Sequence, residues 1–111
     1  MKKYKLIHVL ALLLLFLASC SDDEPVNEPS GAYENGYFVT NEGPFQTGSG
    51  SLTFIDNDGS VSQDVYKSVN GEDLGNIVNS MSFAGERAYV VVNNSHKIVV
   101  VNRFTIEKIA V

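Results

Sequence analysis

The chain has 111 residues, room for at most one ordinary domain, and a formal net charge of -5. Beyond Lys2, Lys3 and Lys5 it carries five basic residues against thirteen acidic ones, a net of -8 with no clustered basic face, which excludes nucleic acid as a partner. One cysteine, two histidines and no tryptophan leave neither an internal disulfide, nor a zinc cluster, nor an evident acid–base or metal constellation.

Met1 to Lys5 is a short basic segment, and Leu6 to Ala18 follows as an apolar run interrupted only by His8. That run is shorter than the roughly 20 residues of a bilayer span and has the length of a signal-peptide core. It ends in Leu17-Ala18-Ser19-Cys20, which resembles the lipobox of bacterial lipoproteins. The resemblance implies cleavage before Cys20, acylation of its thiol and a membrane anchor through its chains, each buried methylene contributing about 0.8 kcal/mol. An ordinary secretory signal with an incidental cysteine is the other reading. Residues 1–19 are thus expected to be a signal peptide. His8 then has no role after cleavage.

Residues 20–32 form an acidic tether. Ser21 to Gly31 holds two prolines, four acids and one apolar residue, a composition that cannot build a core. An acidic run directly after the cysteine is similar to the surface-export signal of Bacteroidota lipoproteins, which implies an outer-membrane protein exposed on the cell surface. The bland reading is a solvated linker.

Residues 33–111 carry two groups of short apolar segments. In the first, Gly36 to Asn41, Leu52 to Asp56 and Val61 to Val69 read as strands, the last with alternating polar residues. Asn57-Asp58-Gly59 is a hairpin turn signal. Gly43 to Ser51, rich in Gly, Ser and Thr, is expected to be a long flexible loop. The second group comprises Ile77 to Ala84, Arg87 to Asn93, Lys97 to Asn102 and Thr105 to Val111. Its β-branched runs, Val90 to Val92 and Ile98 to Val101, do not alternate with polar residues, so both faces are expected to be covered.

The groups repeat each other. Tyr37 to Asn41 matches Tyr89 to Asn93, and Leu52 to Asp56 matches Ile98 to Asn102, a period near 45 residues. Repeated four-stranded antiparallel units with covered inner strands predict an all-β fold, a β-propeller of about two blades, residues 33–75 and 76–111, the first lacking its innermost strand. Two blades cannot close a ring of four to eight, and Val111 falls within an outer strand, so an N-terminal piece of a longer protein is expected. A small seven-stranded sandwich is the structural alternative.

Gly36 to Gly43, Gly50 to Asp56 and Ala88 to Asn102, with their Asn-Glu-Gly and Asn-Ser-His-Lys-Ile turns, resemble the opening blades of the YncE-like, seven-bladed surface lipoproteins of Bacteroidota. That family includes cobalamin-binding partners of outer-membrane vitamin B12 transporters. The resemblance implies ligand capture by rim loops, with a corrinoid as one candidate ligand and an outer-membrane transporter as one candidate partner.

Candidate ligand-binding residues are Asn41, Glu42, Asn93 and Asn94, at matching strand ends that would face one rim. The plainer role for such residues is satisfying turn backbone. Asp56 to Gly59 resembles half of a calcium loop, but position 12 would be Lys67, so a turn is the better reading. His96 reads as a solvated turn residue. No catalytic residue, metal ligand or cofactor is assigned. A surface binding module is the expected function. A propeller-type, lactonase-like hydrolase, with Asn76 and Asn79 as the polar candidates on an innermost strand, and a surface scaffold or adhesion protein are the alternatives.

Overall fold

A computed structural model describes residues 31–111. The signal segment, Cys20 and residues 20–30 of the tether lie outside the described residues. Strands β1 (Gly36–Asn41), β2 (Ser51–Asp56) and β3 (Val61–Ser62) form one antiparallel sheet in the order β1-β2-β3. Helix α1 (Val65–Asn70) follows, then β4 (Val78–Ala84), β5 (Arg87–Val92), β6 (Lys97–Asn102) and β7 (Lys108–Ala110), a second antiparallel sheet in the order β4-β5-β6-β7. Among the described residues no helix is long and apolar enough to cross a membrane.

Segment Val61 to Val69 is a correction to the sequence reading. Only Val61 and Ser62 pair with β2, and the chain then turns into α1. Val65 and Tyr66 are both buried, at 1% exposure each. Neighbouring residues of a strand point to opposite faces, so a strand would have exposed one of them; a helix buries both against a single surface. Gly71, at φ 70°, ends the helix and donates its N–H to the Lys67 carbonyl at 2.8 Å.

Thr105 to Val111 is likewise shorter as a strand than expected. The Asn102 Oδ1 accepts the N–H groups of Phe104 at 2.9 Å and Thr105 at 3.1 Å, closing a turn. Ile106 then sits at φ 62°, costly for a β-branched residue, with its side chain fully buried. Burial of an Ile, worth about 1.5–3 kcal/mol, offsets strain of about 1–3 kcal/mol.

The two sheets share one core. Leu52 and Phe54 of β2 meet Val78, Ala88, Val90, Val92, Val99 and Val101, with Val65, Tyr66, Leu74 and Ile106 completing the cluster. Tyr33 closes one end, its ring edge-on to Phe54 at 5.2 Å, and its N–H reaches the Phe104 carbonyl at 3.0 Å. Asn70 joins the two halves: its Nδ2 donates to the Ile106 carbonyl at 2.9 Å and its Oδ1 accepts the Lys108 N–H at 2.9 Å.

The expectation that β5 and β6 are covered on both faces is met on one. Ala88, Val90, Val92, Val99 and Val101 are buried, whereas Tyr89, Val91 and Val100 are half-buried and Ile98 is 51% exposed. Ladder register also refines the internal repeat. Tyr37 pairs with Ile55, and Tyr89 with Val100. Matching Leu52 with Ile98 makes Ile55 the counterpart of Val101, whose partner is Ala88. The two matches therefore cannot both hold. Keeping Leu52 with Ile98 brings Phe38, not Tyr37, to the place of Tyr89.

Candidate functional site

The ends of β1 and β5 lie side by side across the start of β4. The Val78 N–H donates to the Glu42 carbonyl at 3.3 Å, and the Asn93 N–H to the Ile77 carbonyl at 2.9 Å. Ile77, at φ 61°, turns the chain between these contacts and leads into the bulge between Val78 and Ser80. Glu42 and Asn93 thus flank one short segment, and the four sequence-derived rim residues fall along one end of the two sheets.

The loop between β1 and β2 is pinned there, contrary to its flexible appearance in sequence. Asn76 is its hub. The Asn76 Nδ2 donates to the carbonyls of Pro44 at 2.9 Å and Gly48 at 3.0 Å, and its Oδ1 accepts the Gln46 N–H at 3.1 Å. The same Oδ1 accepts the Asn94 Nδ2 at 2.7 Å. A second tie runs through Ser49, whose Oγ donates to the Gly75 carbonyl at 3.1 Å and accepts the Gly75 N–H at 3.0 Å. Composition gave no warning of this, because the anchors lie about 30 residues along the chain.

The four candidates differ in what their side chains do. Asn41 donates its Nδ2 to Ser51 Oγ at 3.1 Å and Thr53 Oγ1 at 3.0 Å, across the outward face of its own sheet. Asn94 is engaged by Asn76. Glu42 and Asn93 are exposed at the rim. Past Asn93, a short 3-10 turn (Asn93–Ser95) ends at His96, whose φ of 50° tightens the hairpin. Asn93, His96, Lys97, Val91 and Ile98 line an open concavity of about 300 Å³ beside that turn. Its polar groups can donate and accept hydrogen bonds over an apolar floor.

Asp56 to Gly59 folds as a turn whose carboxylates bind their own backbone. The Asp58 N–H donates to Asp56 Oδ1 at 3.3 Å, and the Ser60 N–H to Asp58 Oδ1 at 2.7 Å. The Ser60 bonds hold the Asp58 carboxyl below the usual carboxylate range. Among the described residues no three His, Cys, Asp or Glu side chains converge in a metal-binding group. Of the two polar candidates on β4 and its approach, Asn76 is occupied by the loop, and Asn79 is exposed at the bulge.

Away from the rim, the Tyr66 hydroxyl donates to Glu72 Oε1 at 2.6 Å, and Lys108 Nζ meets the same oxygen at 2.6 Å. Burial first, then the Glu72 carboxylate, pushes the Tyr66 phenol above its ordinary value of 10.0. The hydrogen bonds from Lys108 and Tyr66 hold Glu72 below its ordinary 4.5. These groups clamp α1 to β7 and are architectural.

Two antiparallel sheets on one core, with a polar rim built from both, define a mainly-β protein whose recognisable feature is a loop-built surface. The chain belongs to the family described as a domain of unknown function (DUF5074), whose model matches residues 35–111. No curated protein matches the sequence.

Proposed function

We propose that this chain is a surface-anchored β-propeller lipoprotein, of the YncE-like kind, that captures a polar ligand on its rim for an outer-membrane transporter. A corrinoid is the specific ligand to test. The observation that carries the reading is the convergence of Glu42 and Asn93, from different sheets, on the two carbonyl and amide contacts of Ile77 and Val78. Ligand-binding loops on a rigid scaffold work in this manner, because a rim that is already ordered loses little entropy on binding.

The propeller reading is supported by the direction of stacking. With Leu52 and Ile98 kept as the repeat pair, Leu52 faces the second sheet and is fully buried, whereas Ile98 faces away from the first sheet and is 51% exposed. A two-fold sandwich would point equivalent faces at one another. Equivalent faces pointing the same way are a head-to-tail arrangement, which propagates to further sheets. The half-buried Tyr89, Val91 and Val100 around Ile98 are the surface such a sheet would cover. Among the described residues the first sheet has no counterpart of β4, and β1 there offers an open edge to one more strand.

The anchor rests on Cys20. Cys20→Ala should move the protein from the membrane fraction to the soluble fraction, and palmitate labelling that persists in that variant would refute acylation there. Binding is tested by calorimetric titration of cyanocobalamin into the full-length natural protein. Saturable heat that Glu42→Gln and Asn93→Ala weaken together supports the reading. A folded protein that gives no heat removes the corrinoid.

A further inference from the structure

A second concavity lies at the opposite end of the sheets, where β1 begins and β4 finishes. It holds about 130 Å³ and is lined by Tyr33, Glu34, Gly36, Phe38, Phe83 and Arg103. From its geometry we infer that it is a separate binding site, for a small planar monocarboxylate whose ring lies among the aromatic side chains and whose carboxylate meets Arg103.

Its walls are aromatic and come from both sheets and the segment preceding them. The Phe38 ring centroid is 6.2 Å from that of Tyr33 and 6.1 Å from that of Phe83. Tilted rings at these separations present edges and faces to a third ring. Gly36 belongs to the wall for a steric reason. A Cβ there would come within 2.6 Å of the Phe54 ring and 2.3 Å of the Ile55 carbonyl oxygen, so the lining admits no side chain at that position.

Arg103 supplies the charge. Its guanidinium carbon sits 4.7 Å from the Phe104 centroid and 5.7 Å from that of Phe83, so two rings orient it. One donor is spent, Nη1 to the Gly85 carbonyl at 3.3 Å, and the backbone N–H of Arg103 bonds the Glu86 carbonyl at 3.0 Å. Among the described residues Arg103 makes no ion pair, although the chain is acidic. A guanidinium seated over two rings, with one donor on a carbonyl, keeps further N–H donors for an acceptor, and the planar match for them is a carboxylate. Glu34 on the same wall has an interaction of its own, and its charge opposes any anion and a dianion twice as strongly, which limits the ligand to a single carboxylate placed on Arg103. The volume is below the usual range for a drug-sized ligand, so one ring with one acid group is the fitting size.

The test is a titration of the full-length chain with benzoate, followed by amide shifts in two-dimensional NMR, with benzylamine and acetate as controls. Saturable benzoate shifts at Gly36, Phe83 and Arg103, with Kd in the millimolar range expected for so few atoms, support the site. Benzylamine, lacking the negative charge, and acetate, lacking the ring, should each bind at least tenfold more weakly. Arg103→Gln and Phe83→Ala should each weaken benzoate tenfold or more. Phe83 is half-exposed, so its variant keeps the fold if Arg103→Gln does not. Benzylamine binding as well as benzoate, wild-type affinity in either folded variant, or no saturable shift at these residues overturns the inference.

Discussion

Asn76→Ala should release the loop between β1 and β2 while leaving the core intact. The substitution deletes three contacts to that loop, the bonds with Pro44, Gly48 and Gln46 at 2.9, 3.0 and 3.1 Å. All three are solvent-accessible, so each takes the low end of a net hydrogen bond, about 0.5–0.7 kcal/mol, and the set sums to about 2 kcal/mol. That corresponds to a local opening constant roughly 30-fold larger. Ser49 and the Gly50 N–H, bonded to the Gly75 carbonyl at 2.8 Å, still hold the far end of the loop, so the effect stays local. Amide hydrogen exchange reads it directly: the Gln46 N–H should exchange about 30-fold faster in the variant, with the amides of Val90 and Val99 unchanged. Asn76→Asp keeps the Oδ1 acceptor and should fall between the two. A Gln46 amide that exchanges at the unprotected rate in the wild-type protein, or at the same rate in both, would refute the pinned loop.

Three further outcomes follow from the packing. Asn70→Ala removes the bonds to the Tyr66 and Ile106 carbonyls and the Lys108 N–H, and should cost about 2 kcal/mol in urea unfolding, with helix α1 losing protection first. Leu52→Ala, at a fully buried position between the sheets, should cost about 2–5 kcal/mol by the same measurement. Stability against pH should fall at both extremes. Glu72 titrates below 4.5 in the fold, so its contribution is present above that pH and lost as acid protonates it. Tyr66 stays neutral above 10.0 in the fold while the unfolded chain ionises, so its contribution is lost as pH rises beyond 10, and Tyr66→Phe should flatten that alkaline limb.

The regular parts of the fold were legible because their signals are local. Short β-rich and β-branched runs bounded by turn residues marked β1, β2, β4, β5 and β6 to within a residue or so, whereas the one alternating run, from Val61, did not continue as a strand. Reading failed where one side chain decides between local alternatives. Val65 and Tyr66 fit either a strand or a helix by propensity, and only their burial on a common surface selects the helix. Asn102 cut short the strand read from Thr105 by binding two backbone amides. Composition marks the Gly-rich loop as flexible and cannot register that Asn76 satisfies its backbone from another part of the chain. The setting of Arg103 is hidden from sequence for a similar reason, because one of the rings that orient it, Phe83, lies 20 residues earlier in the chain.

Asparagine recurs at several irregular junctions of this fold, and that recurrence sorts the rim residues. An amide offers two donors and an acceptor without charge, so it can satisfy loop backbone at little desolvation cost. Asn41 uses its donor group on Ser51 and Thr53, and Asn94 donates to Asn76, so both stabilise the protein. Asn93 makes only backbone hydrogen bonds among the described residues, and its side chain borders the concavity beside His96. Asn41→Ala should therefore lower unfolding free energy by about 1 kcal/mol and leave rim affinity unchanged. Asn93→Ala should do the reverse, leaving the unfolding midpoint within experimental error while weakening whatever ligand the rim takes. Equal effects of the two substitutions on stability would show that amide contacts in the fold do not separate structural from binding residues at this rim.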